Sequence, residues 1–265
     1  MPVVNLPRCM YLDKRLFYPI KKHIMDGATA SVFLGKYNET QVCIKQYKPS
    51  ITESEVLNEA SILISLPASE YLCFIVGVCL DQPKRLVTSF FGSEFSARNT
   101  LEYNIKNKDL SVSNSLLVIS ELLSAVGFLH NNKIFHGDIK PNNILLSFKA
   151  NCVNLRVIDF GCASFISNGD DEIYKDLVEN DETKLICCCD KHTAPEVHYG
   201  FPRSRYTDLY GVGYSSTKVF SVHQDFFSNH KYKPLCSLLK NCKQVFPYSR
   251  PTLCDICEAL EKCMN

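Results

Sequence analysis

The sequence predicts an α+β fold in which an antiparallel β-sheet carrying one helix precedes a mainly α-helical part. Short apolar runs rich in β-branched residues, separated by turn residues, fill residues 1–91 and predict strands. From about Thr100 the apolar residues recur at helical spacing instead. The length of 265 residues suits a single domain, 1–265, with a sheet lobe at 1–91 and a helical lobe at 92–265.

The first lobe is predicted to contain four strands and one helix. We expect the strands at residues 31–34, 41–44, 74–76 and 85–88, with turns at residues 38–39 and 83–84. The helix is expected over residues 52–66, because Thr52 can act as the N-cap and Glu55 stands at the capping-box position. Apolar residues at helical spacing follow these two, so the helix has one face that can pack on the sheet.

The second lobe is predicted to begin with one long helix that leads into two polar loops. Apolar residues between positions 116 and 129 form a wide stripe, and the helix is expected to end near residues 130–132. The first polar loop, His-Gly-Asp-Ile-Lys-Pro-Asn-Asn at residues 136–143, precedes an apolar run. The second, Asp-Phe-Gly at residues 159–161, follows another, so each loop adjoins a predicted strand.

Four polar side chains in these loops form a set that suits phosphoryl transfer: Asp138, Lys140, Asn143 and Asp159. Such a reaction needs an acceptor for a hydroxyl proton, a cation for the transferring phosphate, and oxygen ligands for magnesium. Each residue alone could equally cap a turn, which is the commoner role of Asp and Asn in loops. All four in this order are better explained by a shared chemical task.

The two loops resemble the catalytic loop and the Asp-Phe-Gly turn of the eukaryotic protein kinase family. The resemblance implies a two-lobed fold, ATP and Mg²⁺ as cofactors, and protein substrates. It implies that Asp138 orients the acceptor hydroxyl, that Lys140 neutralises the γ-phosphate, and that Asn143 and Asp159 hold magnesium. A lysine at position 140 is typical of the serine/threonine branch. The threonine usual in that branch before Ala-Pro-Glu is Cys189 here, so tyrosine specificity stays open.

The resemblance also places an ATP site on the first lobe. Lys45 ends a run similar to the Val-Ala-Ile-Lys strand, and Glu59 lies where the family has the helical glutamate that pairs with this lysine. Glu55, one turn earlier, is the alternative partner. The residues implied to bind the nucleotide are Ile24, Gly27, Val32, Cys43, Lys45, Glu59, Thr88 as a small gatekeeper, and Phe90 through its backbone.

Two departures from the family pattern bear on activity. Of the glycine-rich loop only the middle glycine, Gly27, is present. The arginine that usually precedes the catalytic aspartate, and pairs with an activation-segment phosphate, is Gly137. Together with the acidic residues between positions 170 and 182, this predicts activity without phosphorylation and a preference for basic substrates. A merely solvated acidic loop is the alternative for that segment.

Later residues continue the resemblance. Thr193-Ala194-Pro195-Glu196 is similar to the Ala-Pro-Glu segment, so Glu196 is expected to pair with Arg250. Asp208 is expected to brace the backbone of the catalytic loop. Arg203 and Arg205 are interpreted as solvated charges rather than a substrate site.

Composition and charge bear on which partners, cellular location and metal are expected for this protein. The net charge of +1 gives no global attraction to nucleic acid or to an anionic membrane, and the apolar run at residues 72–80 is too short to span one. Residues 1–10 do not resemble a signal peptide, so the fourteen cysteines are expected to be reduced thiols in an intracellular protein of the cytoplasm or nucleus. The cysteines at residues 187–189 and the pair Cys254 and Cys257 are weak candidates for zinc.

The compact length and the reduced glycine loop make the chain similar to kinases of large DNA viruses, which implies a location in an infected host cell. Two alternatives stay open. One is a pseudokinase that binds nucleotide or a partner without turnover. The other is a kinase of small molecules, which the Ala-Pro-Glu segment and Arg250 disfavour because they build a platform for polypeptides.

Overall fold

A computed structural model describes residues 6–92, 99–149, 152–167, 192–224 and 226–264, and at residues 17–22 it describes the backbone alone. The acidic segment at residues 170–182 and the cysteines at 187–189 lie outside these ranges. The chain divides into two compact units, Met1–Asn99 and Thr100–Asn265. The boundary predicted after residue 91 therefore falls inside the first unit, and the prediction of one domain over the whole chain stays a prediction.

The first unit contains an antiparallel five-stranded sheet with the order β1-β2-β3-β5-β4. The strands are β1 (Phe17–Asp26), β2 (Ala30–Tyr37), β3 (Thr40–Tyr47), β4 (Ile75–Cys79) and β5 (Arg85–Ser89). Asn38 and Glu39 form the predicted two-residue turn, and both have positive φ angles, 46° and 61°, as a tight hairpin requires. Strand β1 was not predicted, because its lysines and histidine interrupt the apolar pattern and its pairing with β2 creates the strand.

The helix of the first unit, α1 (Glu53–Ser65), begins as predicted. The Thr52 side chain accepts a hydrogen bond from the Glu55 backbone, and the Glu55 carboxylate accepts from the Thr52 hydroxyl and backbone at 2.7 Å. These bonds lower the pKa of Glu55. Val56 and Ala60 of α1 pack with Ala30, Tyr47, Val78 and Leu86 of the sheet. Helix α1 is thus fixed at one end by its cap and along its length by apolar burial.

The second unit is organised around the predicted long helix, α3 (Val112–Asn131), which follows the short α2 (Leu101–Asn107). The apolar stripe of α3 packs against the strand Cys152–Val157 and the helices Arg205–Phe220 and Leu253–Met264. Among the described residues, α3 is the one helix that could cross a membrane by length and composition alone, and half of its apolar window is buried within the protein. Burial of this kind is what the core helix of a globular unit shows.

Two small antiparallel ladders hold the polar loops. β6 (Ile134–Phe135) pairs with β9 (Ser164–Phe165), and β7 (Ile144–Lys149) pairs with β8 (Cys152–Val157). The apolar run at residues 144–146 predicted β7, but the run at residues 157–158 shares only Val157 with β8. The two-residue strands β6 and β9 are too short to leave a periodic signal. The other α-helices in the described part of the chain are α4 (Pro195–His198), α5 (Arg205–Phe220), α6 (Lys233–Asn241) and α7 (Leu253–Met264).

Candidate active site

The first unit contains the predicted ion pair between Lys45 and Glu59. Lys45 Nζ lies 2.8 Å from both carboxylate oxygens of Glu59. The Glu59 side chain is 4% exposed and that of Lys45 is 15% exposed, so the pair is largely shielded from water. Glu55, the alternative partner, uses its carboxylate at the N-terminus of α1 instead. The nucleotide-binding role of Lys45 and Glu59 stays a prediction.

Four of the predicted nucleotide-binding residues share one face of the sheet. Val32 of β2 lies directly opposite Lys45 of β3, and Cys43 of β3 lies opposite Thr88 of β5. Because directly opposed residues share a face and alternate residues of β3 return to it, these side chains form one surface. Burial raises the pKa of the Cys43 thiol to about 12, so this residue stays neutral. The surface is therefore apolar except for Lys45 and the Thr88 hydroxyl.

The other three predicted nucleotide-binding residues lie at strand ends or irregularities. Ile24 lies in β1 at a register shift between His23 and Met25. The Gly27 backbone N–H donates to the Ala30 carbonyl at 2.7 Å, which closes the β1–β2 hairpin. Phe90 directly follows β5 and is half-buried. Contact of these residues with a nucleotide stays a prediction.

In the second unit, two of the predicted residues converge on the carboxylate of a third, Asp138. The Asn143 side-chain amide donates to the Asp138 carbonyl at 2.9 Å and to Asp138 Oδ2 at 3.0 Å. Lys140 Nζ lies 2.6 Å from the same Oδ2. A short turn at Pro141–Asn143 carries Asn143 back over Asp138, so the spacing of the loop residues sets this geometry. The Asp138 carboxylate is thereby oriented by two donors on one oxygen.

A buried histidine connects this loop to the strand that precedes Asp159. His136 Nδ1 accepts from the Asp138 backbone N–H at 3.2 Å, and Nε2 lies 3.1 Å from the Ile158 carbonyl. These partners require the ring proton on Nε2. The ring also packs edge-on against Phe160, with centroids 4.8 Å apart. His136 thus fixes the loop of Asp138 against the loop of Asp159.

Asp208 braces the loop from the other side, as predicted. Its fully buried carboxylate accepts from the backbone N–H groups of His136 at 2.8 Å and Gly137 at 2.7 Å. His130 Nε2 lies 2.9 Å from Oδ2. Two backbone donors satisfied by one carboxylate hold the peptide just before Asp138 in place.

Asp159 has a left-handed backbone conformation, with φ 70° and ψ 73°. Such a conformation is uncommon for a residue other than glycine, and it redirects the chain directly after Ile158. Burial raises the pKa of the nearby Cys162 thiol, and the carboxylates of Asp138 and Asp159 raise it further. The loop that contains Asp159 adjoins Asn143, because the Ile158 backbone N–H donates to the Asn143 carbonyl at 2.9 Å.

The donor chemistry around Asn143 and Asp159 fits a hard divalent cation. The amide nitrogen of Asn143 is committed to Asp138, so Oδ1 is the atom of this side chain that suits a metal. Mg²⁺ binds oxygen and completes its shell with water and phosphate, so two protein oxygens are enough for it. Within the described residues, no group of three or more His, Cys, Asp or Glu could hold a metal. Burial raises the pKa of the Cys257 thiol, which disfavours the thiolate form that zinc needs.

A family model described as the protein kinase domain matches residues 18–250. The chain belongs to the protein kinase family. Two proteins of Acanthamoeba polyphaga mimivirus, each named as a serine/threonine-protein kinase/receptor, are 24% and 26% identical to this kinase domain over 93% of its length. Human calcium/calmodulin-dependent protein kinase type IV is 23% identical over 87% of it. The chain spans 14% of each mimivirus protein and 46% of the human one.

The kinase domain also contains the predicted pair between Glu196 and Arg250. Arg250 Nη1 donates to Glu196 Oε1 at 2.8 Å and Nη2 to Oε2 at 2.6 Å, and both side chains are fully buried. Arg250 donates further to the carbonyls of Tyr206 and Gln244. The pair joins α4 to α5 and to the segment before α7.

Arg203 is exposed, in agreement with its interpretation as a solvated charge, but it also contacts the loop of Asp138. Arg203 Nε donates to the Gly137 carbonyl at 3.1 Å, although 66 residues separate them. Gly137 has a φ of +77°, and a Cβ there would lie 2.6 Å from the Cys162 carbonyl oxygen and 2.9 Å from Arg203 Cδ. Arg203 can approach only because residue 137 has no side chain. An arginine from another segment thus lies against the position where the family usually has one, which sequence reasoning missed.

Proposed function

We propose that this kinase domain transfers the γ-phosphoryl group of ATP to serine or threonine hydroxyls of protein substrates. The observation that carries the proposal is the Asp138 carboxylate, oriented by Asn143 and Lys140 beside the Asp159 loop. Phosphoryl transfer depends mainly on positioning and charge stabilisation, and these residues supply both.

Each residue of the second unit has a distinct role in this proposal. Asp138 accepts the hydrogen bond of the substrate hydroxyl, orients its oxygen and takes up its proton. Lys140 stabilises the negative charge on the transferring group. Asn143 Oδ1 and the Asp159 carboxylate would hold Mg²⁺. When bound, Mg²⁺ would neutralise the negative charge of the β- and γ-phosphates.

The first unit supplies the nucleotide contacts. Lys45, oriented by Glu59, binds the α- and β-phosphates. Val32 and Cys43, together with Ile24, pack on the adenine, and Thr88 borders the base as a small gatekeeper. The backbone near Phe90 hydrogen-bonds the adenine edge, and the turn at Gly27 covers the phosphates.

Serine and threonine are the preferred acceptors in this proposal, because Lys140 is typical of that branch and the mimivirus relatives are named as serine/threonine-protein kinases. Basic substrates are proposed from the acidic residues at positions 170–182. With Gly137 in place of the family's arginine, activity is proposed not to require phosphorylation of the activation segment. An intracellular location, in the host cell of a virus, completes the proposal.

A pseudokinase is the second candidate function. It is favoured by the single glycine of the phosphate-covering turn, whose N–H already bonds to Ala30. A scaffold without turnover has no need for the Lys45–Glu59 pair together with Asp138, Asn143 and Asp159. The active enzyme is therefore the better account.

Asp138→Asn is expected to lower label transfer from γ-labelled ATP to mixed basic proteins by at least about 100-fold, because the variant cannot take up the hydroxyl proton. Asp109→Asn, an exposed aspartate in the turn after α2, is the matched control and is expected to keep wild-type activity. Hydrolysis of the product and separation of the labelled amino acids identify the acceptor hydroxyl. Undiminished transfer by Asp138→Asn would contradict the role of this residue, and labelled tyrosine alone would contradict the serine/threonine assignment.

A further inference from the structure

The Glu59 carboxylate has a second partner, besides Lys45, that no kinase motif accounts for. The Tyr47 hydroxyl donates to Glu59 Oε2 at 2.7 Å, inside the core of the first unit. Tyr47 is also in contact with the lysine, because Lys45 Nζ lies 5.2 Å from the centre of the tyrosine ring. One side chain thus touches both members of the ion pair.

The alternation of β3 explains this arrangement. Lys45 and Tyr47 are two residues apart, so they lie on the same face of the strand, while Val42 and Ile44 belong to the apolar cluster on the other face. Tyr47 is the last residue of β3, and its backbone N–H donates to the Lys84 carbonyl at 2.9 Å. Its ring packs with Val56 and Ala60 of α1. The end of the strand is therefore held while the hydroxyl reaches Glu59.

Burial makes the hydrogen bond between Tyr47 and Glu59 important. Tyr47 is 5% exposed and Glu59 is 3% exposed, so neither polar group has ready access to water. A buried tyrosine hydroxyl needs a partner, and a buried carboxylate needs donors beyond a single cation to offset its desolvation. The Tyr47 bond satisfies both requirements and restricts the rotation of the Glu59 side chain.

We propose that Tyr47 is a positioning residue for the nucleotide-binding lysine. It fixes the carboxylate of Glu59, which in turn fixes the ammonium group of Lys45. All three side chains belong to the first unit, so the pair is assembled by contacts within that unit. The inference rests on the proposed function, because it assigns Lys45 to ATP.

The test uses Tyr47→Phe, which keeps the ring and its packing and removes only the hydroxyl. The dissociation constant of the whole protein for Mg·ATP, measured by calorimetric titration, is expected to rise about tenfold, since a hydrogen bond to a charged group is lost. In the transfer assay the KM for ATP is expected to rise by a similar factor, with kcat within about twofold of wild type. Tyr37→Phe, at the end of β2 in the same sheet, is the matched control and should leave both values within about twofold.

A second background separates positioning from packing. In Glu59→Ala, the additional change Tyr47→Phe is expected to alter the Mg·ATP dissociation constant less than about twofold, because its partner is already absent. A tenfold effect of Tyr47→Phe both with and without Glu59 would overturn the inference. No effect of Tyr47→Phe in the protein that retains Glu59 would overturn it as well. A wild-type protein that binds Mg·ATP without transferring phosphate would overturn the proposed function alone, because the binding comparison stands without turnover.

Discussion

Replacing Gly137 with arginine, the residue usual in the family, is expected to abolish phosphoryl transfer rather than improve it. The first atom of any side chain at residue 137 would lie 2.6 Å from the Cys162 carbonyl oxygen and 2.9 Å from Arg203 Cδ. The φ of +77° adds strain for every residue other than glycine. Asp138 directly follows Gly137, so a shift of the Gly137 backbone moves the Asp138 carboxylate out of position.

The smaller change Gly137→Ala measures the same clash. We expect it to lower the free energy of unfolding by about 2–5 kcal/mol, the sum of left-handed strain and overpacking, in urea denaturation. Gly200→Ala is the matched control: residue 200 has a φ of +87°, but a Cβ there meets nothing within 4 Å. It should lose only about 1–2 kcal/mol. Equal stability of the two alanine variants, or a gain of activity in Gly137→Arg, would contradict this account of the loop.

Removing one partner of the Glu196–Arg250 pair is expected to destabilise the protein by about 3–5 kcal/mol, whether as Glu196→Gln or as Arg250→Met. Both side chains are fully buried, so either change leaves a polar or charged group without its partner in a medium that solvates it poorly. Arg250→Met would also remove the donors that bond to the Tyr206 and Gln244 carbonyls. The measurement is the free energy of unfolding in urea, with near-ultraviolet circular dichroism to follow tertiary packing.

The double variant Glu196→Leu/Arg250→Met separates the pair itself from the cost of leaving one charge alone. It is expected to be more stable than either single variant, because no unpaired charge remains. The exposed pair Lys106 and Glu102 provides the reference, and Lys106→Ala should cost less than about 1 kcal/mol. Single variants at Glu196 or Arg250 that cost no more than this reference would show that the pair is not needed for stability.

Local sequence signals predicted the elements whose formation depends on nearby residues. The capping box of α1 and the long apolar stripe of α3 are periodic or short-range features, and both helices appear as expected. The pairs Lys45–Glu59 and Glu196–Arg250 join residues 14 and 54 positions apart. No local pattern links such positions, and only the resemblance to kinases pointed to them.

Features that depend on tertiary packing escaped prediction. Strand β1 exists through its pairing with β2, since Lys21, Lys22 and His23 interrupt the apolar pattern of its own residues. The contact of Arg203 with Gly137 joins an exposed residue to a loop that is distant in sequence. The hydrogen bond from Tyr47 to Glu59 involves a side chain that the sequence alone indicates only as part of the hydrophobic core. Neither contact belongs to the motifs that carry the resemblance, so the family pattern gave no indication of them.

The central claim is that Asp138, Asn143 and Asp159 serve one metal-dependent phosphoryl-transfer centre. The most direct measurement is the initial rate of label transfer as a function of Mg²⁺ concentration for wild type, Asp138→Asn and Asp159→Asn. The account predicts that wild type is inactive without Mg²⁺, that Asp159→Asn needs a higher Mg²⁺ concentration for half of its maximal rate, and that Asp138→Asn loses maximal rate without that shift. A wild-type protein that binds Mg·ATP yet transfers no more label than Asp138→Asn at any Mg²⁺ concentration would contradict it.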